Sequence, residues 1–177
     1  EALDEDGKEK PRGEIGNLAA RLPLPPAALP TLWNADDRFR EAYLARYPGF
    51  YDTSDAGMVD EEGYVWVMGR TDDIINVAGH RLSTGAMEEV LSDHPAVAEC
   101  AVIGVPDAKS GEAVKAFVVK KDPNVSAEDI IKFSATQLTA YKVPKQIEFR
   151  TDLPKTNVGK ILRRELRDEE LKKLGKK

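Results

Sequence analysis

The feature that most constrains the fold is a nearly continuous apolar run from Val97 to Val105, interrupted only by Glu99 and Gly104. A run of this length is typical of a strand buried inside a sheet. Strand and helix patterns alternate on both sides of it, which predicts a small α+β domain of roughly a hundred residues. The expected elements are strands over 74–77, 97–105, 115–120 and 146–150, and helices over 84–92, from Ser126 to about Leu138, and over 161–174.

The first 71 residues have a different pattern, with more prolines and turn signals. We expect a strand over 14–22 that ends at the prolines of 22–26, a short helix ending at Arg46, a turn over 60–63 and an alternating strand over 64–68. Either Asn34 or Asp36 would cap the short helix. The polar segment Gly69–Asp73 then joins this region to the α+β domain.

Charge and cysteine content limit the possible partners and location. The chain has 177 residues and a formal net charge of -5, which argues against nucleic acid as the main partner because phosphate binding favours a basic surface. No stretch reaches the roughly 18 apolar residues of a membrane span. Cys100 is the single cysteine and favours a reducing, cytoplasmic location; within the apolar run it is expected to be a buried structural thiol. The chain begins without methionine, which we interpret as a cut or processed end.

The first candidate site is the acidic segment Tyr51–Gly57, which follows an aromatic pair. A carboxylate in such a loop can accept hydrogen bonds from two neighbouring hydroxyl groups, as a ribose requires. The alternative is an Asx-type turn with no ligand, and the residues alone favour that alternative.

The second candidate site is Gly69–Arg81, which places two arginines and two glycines around a strand. Guanidinium groups and free backbone N–H donors in this arrangement can bind a phosphate. Surface salt bridges are the alternative for the arginines, and a solvated turn is the alternative for Asp72 and Asp73. His80 has no cysteine or carboxylate at ligand spacing, so we expect a structural role and no metal site.

The third candidate site is Leu153–Glu165, where Gly159 precedes Lys160. A tight turn at Gly159 would project the lysine ammonium, a compact charge that suits a developing phosphate or carboxylate charge. The segment is not a P-loop, because the upstream glycine and the following Ser or Thr are absent. A basic helix N-terminus is the alternative, although cations there oppose the helix dipole and need a reason.

In this order and spacing, the three segments resemble the adenylate-forming superfamily of acyl-CoA synthetases, adenylation domains and luciferases. Tyr51–Gly57 looks like the family's Tyr-x-(Thr/Ser)-Gly-Asp loop, Gly69–Arg81 like its hinge and glycine-loop motif, and Pro154–Lys160 like its Pro-Lys-Thr-x-x-Gly-Lys motif. The resemblance covers about residues 13 to 172. In two places the chain departs from the family pattern: Ser54 stands where the family usually has Gly, and Val158 where it commonly has Ser.

Different parts of the chain resemble two different kinds of family member. Residues 22–105 look like propionyl-CoA and acetyl-CoA synthetases, whereas residues 105–172 are closer to medium- and long-chain fatty acyl-CoA ligases. The chain is therefore interpreted as a possible mosaic, natural or engineered. A short-chain acid such as propionate or acetate is favoured as the substrate. The two resemblances meet near residue 105, at a boundary that we call the seam, and both imply the same reaction.

The resemblance implies an AMP-forming ligase reaction in two steps. ATP and a carboxylic acid give an acyl-adenylate, and CoA then displaces AMP. The implied roles are Lys160 as the catalytic residue of adenylation, Asp55, Arg70 and Arg81 as nucleotide-binding residues, Asp72 as the hinge, and Gly79 and Arg81 as CoA-binding residues.

The resemblance also implies the domain organisation. Residues 1–71 would be the end of a large N-terminal domain with barrel-like strands, Asp72 the hinge, and residues 73–177 a mobile α+β domain. The phosphate loop, the acyl pocket and most of the Mg²⁺ binding would lie upstream in a domain that acts as the partner, so the isolated chain is expected to be inactive. Alternatives are an adenylation module that serves a carrier protein and a non-catalytic nucleotide-binding module.

Overall fold

The chain divides into two compact units, Glu1–Asp72 and Asp73–Lys177, which we call the N-terminal unit and the C-terminal unit. The computed structural model describes residues 1–175. A single turn of 3₁₀ helix, Thr71–Asp73, spans the boundary between the two units. The α+β fold class is confirmed, because each unit combines a β-sheet with helices. The assignment of residues 1–71 and 73–177 to two domains of an enzyme stays a prediction.

The N-terminal unit is an antiparallel sheet in the order β1-β2-β3-β4 with one helix. Its elements are β1 (Ala2–Leu3), β2 (Gly16–Arg21), α1 (Asp36–Tyr43), β3 (Phe50–Val59) and β4 (Val65–Arg70). The predicted turn over 60–63 is confirmed: Asp60 accepts the amide of Tyr64 at 2.8 Å and the indole N–H of Trp66 at 2.7 Å. These hydrogen bonds, the one from Trp66 foremost, lower the pKa of Asp60.

Helix α1 differs from its prediction at both ends. Its N-cap is Ala35, which makes no side-chain capping bond, and the helix ends at Tyr43 rather than at Arg46. Asn34 cannot be the cap because its φ of 51° lies in the left-handed region, whereas an N-cap residue is extended. Asp36 lies inside the first turn, where its negative charge favours the helix dipole.

The edge segment 64–67 of the N-terminal sheet is exposed on both of its sides. Tyr64, Val65, Trp66 and Val67 are all more than half exposed, so the predicted alternation does not separate a buried face from an open one. The buried apolar residues form two small clusters, one of Ala2, Leu18 and Val59 and one of Leu3, Ala19 and Tyr47.

The C-terminal unit is a five-stranded sheet covered by helices. Its elements are β5 (Ile75–Val77), β6 (His80–Leu82), α2 (Thr84–Ser92), β7 (Val97–Asp107), β8 (Gly111–Lys120), α3 (Ala127–Ala135), β9 (Gln146–Arg150) and α4 (Arg163–Lys173). The order is β6-β5-β8-β7, and β9 pairs in parallel with β8. The buried strand predicted from the apolar run is confirmed as β7, and the predicted bounds of α2 and β9 match the structure.

Each face of this sheet carries its own apolar cluster. Met87 and Leu91 of α2 and Ile130 of α3 pack on one face, beside Ile75, Val77 and Leu82 of the β5–β6 hairpin. Leu166 of α4 packs on the other face, with Leu153, Ile103 and Phe117. We call these the hairpin face and the α4 face. Helices on both sides explain why β7 reads as a continuous apolar run.

Several element bounds differ from their predictions, most clearly those of α3, α4 and β8. Helix α3 ends at Ala135, before Leu138, although its predicted capping box between Ser126 and Asp129 is confirmed. Helix α4 begins at Arg163 rather than Ile161, because Ile161 forms a β-bridge with Lys155. Strand β8 begins at Gly111, because the tight turn after β7 continues the ladder beyond the predicted bounds. Among residues 1–175, no helix is long and apolar enough to cross a membrane.

Candidate functional site

The predicted ribose site lies where β3 and β4 pair. Asp55 stands opposite Arg70, and Nη1 of Arg70 lies 3.4 Å from Oδ1 of Asp55. The same Nη1 donates a hydrogen bond to the carbonyl oxygen of Thr53 at 3.1 Å. The Asp55 side chain is 32% exposed, which leaves room for its carboxylate to accept hydroxyl hydrogen bonds. The structure therefore brings Asp55 and Arg70 together, and their role in binding a ribose stays a prediction.

Strand β3 is bulged immediately before Asp55. Leu18 pairs with Asp55 but Ala19 pairs with Asp52, so Thr53 and Ser54 lie outside the ladder register. Oδ1 of Asp52 accepts the amide of Ser54 at 2.7 Å, which is an Asx turn. The prediction of an acidic loop over 51–57 is therefore wrong, because the segment lies inside a strand; the alternative of an Asx turn is confirmed for Asp52.

Ser54 adopts a left-handed backbone conformation with φ of 59°. Its carbonyl oxygen accepts the hydroxyl of Thr71 at 3.0 Å, which helps to hold this geometry. A residue with a Cβ atom costs about 1–2 kcal/mol in this region, whereas glycine costs little. This explains physically why the resembled family favours glycine at this position, and it makes Ser54 a strained residue beside the predicted ribose site.

Gly79 and Arg81 lie on one β-hairpin. Val77 pairs with His80, so the turn contains only Ala78 and Gly79, whose φ values are 50° and 85°. Two successive positive φ values define a type I′ hairpin turn, which glycine favours at the second position. No atom lies within 4 Å of a Cβ built on Gly79, so the backbone there is open to the surroundings. Arg81 stands opposite Asn76 and is partly buried.

His80 stacks on Tyr141, with ring centroids 4.4 Å apart and planes 9° apart. The imidazole is therefore engaged in a ring contact on the surface of the C-terminal unit. Within residues 1–175, no group of three His, Cys, Asp or Glu side chains is arranged to hold a metal ion.

Lys160 lies in a closed loop before α4. Lys155 and Ile161 form a β-bridge, and the amide of Thr156 donates to the carbonyl oxygen of Lys160 at 2.8 Å. Gly159 makes the turn with a φ of 82° and donates to the carbonyl oxygen of Thr156 at 2.8 Å. The Lys160 side chain is exposed, and no carboxylate among residues 1–175 pairs with its ammonium. The predicted tight turn is confirmed; the catalytic role stays a prediction.

The Lys160 loop and the β5–β6 hairpin contribute side chains to different apolar clusters of the C-terminal unit. Leu153 and Ile161, on either side of the loop, pack into the cluster of the α4 face. Nζ of Lys155 also pairs with Glu99 of β7 at 2.6 Å. The β5–β6 hairpin contributes to the other cluster. That Lys160 and the pair of Gly79 and Arg81 act from opposite faces stays a prediction.

Cys100 is buried, as predicted, at 5% exposure. Its thiol lies 3.4 Å from the carbonyl oxygen of Glu88 and 3.4 Å from the hydroxyl of Ser92. Burial raises the pKa of the Cys100 thiol, which makes it a poor nucleophile.

Two clusters of partly buried ion pairs were not predicted from the sequence. In one, Nζ of Lys115 lies 2.7 Å from Glu148 and 2.7 Å from Glu170. Burial alone would raise the pKa of Glu148, but hydrogen bonds from Lys115, Lys173 and Arg150 outweigh it and lower the pKa to about 2. The other cluster joins Arg163 to Glu88. The sequence signal for this cluster was the group of cations at the start of α4, which oppose the helix dipole and therefore suggest nearby carboxylates.

A family model for the AMP-binding enzyme C-terminal domain matches residues 86–160. The long-chain-fatty-acid–CoA ligase of Escherichia coli O6:H1 is 45% identical over 167 residues, which cover 94% of this chain and 29% of that protein. The mouse protein named acyl-CoA synthetase short-chain family member 3, mitochondrial, is 43% identical over 166 residues, which cover 91% of this chain and 24% of that protein. The chain thus spans about a quarter of the length of these relatives.

The chain is also similar, over nearly its whole length, to a solved structure. The crystal structure of ATP-bound MatB from Rhodopseudomonas palustris matches 99% of this chain and 34% of that chain, with 32% identity and a TM-score of 0.78. Relatives named as short-chain and as long-chain enzymes each match more than nine-tenths of the chain. The seam predicted near residue 105 stays a prediction.

Proposed function

Because the chain belongs to the adenylate-forming, AMP-binding enzymes, we propose that it is the C-terminal part of an AMP-forming acyl-CoA synthetase. The complete enzyme would join a carboxylic acid to CoA at the expense of ATP. The bond between the acid and the α-phosphate forms first, as pyrophosphate leaves. The sulfur of CoA then attacks the acyl carbon, and AMP leaves.

The placement of Lys160 supports this proposal most strongly. Its ammonium is exposed, pairs with no described carboxylate, and extends from a loop closed by backbone hydrogen bonds. Such a group can approach phosphate and carboxylate oxygens without first breaking an ion pair. In the adenylation step it would neutralise the negative charge that grows on those oxygens, as an electrostatic group and not as a base.

Asp55 and Arg70 would hold the ribose of the nucleotide. The Asp55 carboxylate accepts the two hydroxyl hydrogens, while Arg70 fixes the carboxylate from the neighbouring strand. Arg70 would also contribute positive charge toward the phosphate. Mg²⁺, if required, would be bound mainly by the upstream part of the enzyme.

The thioester-forming step would use the hairpin face. The open backbone at Gly79 leaves space for the narrow pantetheine arm of CoA, and Arg81 would pair with a phosphate group. A rotation at Asp72 would exchange the α4 face for the hairpin face between the two steps. One small unit would thereby serve two reactions with opposite faces.

For the substrate we favour a short-chain acid such as propionate, on the resemblance of residues 22–105, with the long-chain relatives as the competing indication. A cytoplasmic location is supported by the single cysteine, which has no partner for an internal disulfide. The 177-residue chain alone would be inactive, because it spans about a quarter of its relatives. An adenylation module that serves a carrier protein is the second candidate.

Lys160→Ala in the complete enzyme tests the proposal. We expect ATP–pyrophosphate exchange to be lost, while CoA consumption from supplied acyl-adenylate continues at nearly the original rate, because the role proposed for Lys160 belongs to the adenylation step alone. Arg164→Ala is the matched control, since Arg164 is an exposed cation near the same loop. Equal loss of both reactions with Lys160→Ala would contradict the assigned role. Transfer of the acyl group to a carrier protein but not to free CoA would favour the second candidate.

A further inference from the structure

Arg163, the first residue of α4, holds its guanidinium between two carboxylates. Nε and Nη2 donate to the two oxygens of Glu88 at 2.8 Å and 2.5 Å, which is a bidentate pair. Nη1 lies 3.4 Å from Oδ2 of Asp73, and Nη2 of Arg167 lies 3.5 Å from Oδ1 of the same aspartate. We call these four residues the Arg163 cluster. They come from the start of the C-terminal unit, from α2 and from α4.

The cluster is largely shielded from water and firmly held. The side chains of Arg163, Glu88 and Asp73 are 20%, 13% and 16% exposed. Glu88 also accepts the amide of Val102 at 2.8 Å, which fixes the carboxylate to β7. A cation at a helix N-terminus is unfavourable by itself, so the two carboxylates compensate for the helix dipole. The hydrogen bond from Arg163 to Glu88 raises the pKa of the guanidinium despite burial, and the group stays charged.

The cluster lies at the base of the Lys160 loop. Arg163 follows Lys160 by three residues, and the amide of the intervening Leu162 donates to the carbonyl oxygen of Pro154 at 2.8 Å. At its other end, the cluster contains Asp73, the residue next to the predicted hinge Asp72. A single guanidinium therefore touches the start of the C-terminal unit and anchors the base of the loop.

We propose that Arg163 is a positioning residue, which with Glu88 and Asp73 joins the beginning of the C-terminal unit rigidly to the Lys160 loop. A rotation of the C-terminal unit at Asp72 would then carry the Lys160 ammonium along with that unit, and the loop would not move independently. This inference rests on the proposed function of Lys160. A lysine at 163 would keep the charge but lose the bidentate geometry that sets the direction of the loop.

Amide hydrogen exchange in the 177-residue chain tests the positioning directly. Arg163→Lys should speed exchange at the amides of Gly159, Lys160 and Leu162 by about tenfold or more, because the bidentate hydrogen bonding of the guanidinium to Glu88 is lost. Amides in the middle of β7 and β8 should keep their rates. Arg164→Lys is the matched control and should change none of them. If Arg163→Lys unfolds the chain, Glu88→Gln, which keeps the side-chain volume, replaces it with the same expected result. Unchanged loop exchange would overturn the proposal.

Kinetics in the complete enzyme separate positioning from simple stabilisation. Arg163→Lys should lower kcat for ATP–pyrophosphate exchange by about tenfold with little change in KM for ATP, because misplacement of Lys160 is felt in the transition state. Thioester formation from supplied acyl-adenylate should be unaffected. Equal loss of both reactions would overturn the proposal in favour of a structural role. If the unsubstituted enzyme shows no pyrophosphate exchange, the proposed function fails, and the loop exchange rates still decide whether Arg163 positions the loop.

Discussion

The two units differ in how completely their sheets are covered. The C-terminal unit packs α2 and α3 on one face of its sheet and α4 on the other, and each face has its own buried cluster. The N-terminal unit has four antiparallel strands over two small clusters, and it exposes the apolar segment 64–67. A sheet covered on both faces can form a stable body by itself, whereas an exposed apolar edge segment calls for a partner.

This difference indicates how the candidate sites are supported. Lys160, Gly79 and Arg81 belong to the covered unit, so in the proposed enzyme they would move together. Asp55 and Arg70 lie on a strand pair whose neighbouring surface remains open. In the proposed enzyme, the N-terminal unit would therefore stay with the upstream domain, and the C-terminal unit would rotate.

The largest effect is expected from Asp72→Pro in the complete enzyme. Proline locks φ near about -65°, a value compatible with the 3₁₀ turn over 71–73, so one orientation of the two units would be favoured. We expect adenylation to continue and thioester formation to fall on the order of 100-fold, as misplaced groups cost such factors. Asp72→Ala, which leaves φ free, is the control. Normal rates for both reactions in the proline variant would remove Asp72 from the role of hinge.

A substitution at Lys115 should affect the C-terminal unit alone. Lys115→Ala leaves the carboxylates of Glu148 and Glu170 without their buried partner, which we expect to cost about 3 kcal/mol. Far-ultraviolet circular dichroism in urea would show the shift. The fluorescence of Trp33 and Trp66 should not change, because both tryptophans lie in the N-terminal unit.

The control for Lys115 is Lys132→Ala. Lys132 pairs with Glu128 on α3, but both side chains are at least 70% exposed, so the cost should stay below about 0.5 kcal/mol. A fluorescence transition that shifts together with the circular dichroism transition in Lys115→Ala would show that the units unfold as one.

The sequence predicted most of the C-terminal unit because its signals are local. The apolar run of β7, the capping box of α3 and the glycine before Lys160 each predicted the feature that the structure contains. The ion pairs between Arg163 and Glu88 escaped prediction, because 75 residues separate the partners and no periodic pattern connects them. The bulge at Thr53 and Ser54 was not predicted either, because serine, unlike glycine, gives no sequence signal of a positive φ.

The smallest effect is expected from relieving backbone strain in each unit. Ser54→Gly should stabilise the N-terminal unit by up to about 1 kcal/mol, since the φ of 59° suits glycine and part of the gain is offset by greater freedom in the unfolded chain. Tryptophan fluorescence in urea would report it. Ala78→Gly, with a φ of 50°, is the counterpart in the C-terminal unit and should shift only the circular dichroism transition. Destabilisation by Ser54→Gly would contradict the strain assigned to this residue.

Limited proteolysis of the 177-residue chain tests the central difference between the units most directly. We predict early cleavage near Arg70, followed by loss of the N-terminal unit, while a fragment beginning close to Asp73 resists digestion because both faces of its sheet are covered. Mass spectrometry of the surviving fragment would locate its first residue. Equal protection of the two units in the monomeric chain would contradict the division into a self-sufficient C-terminal unit and a dependent N-terminal one.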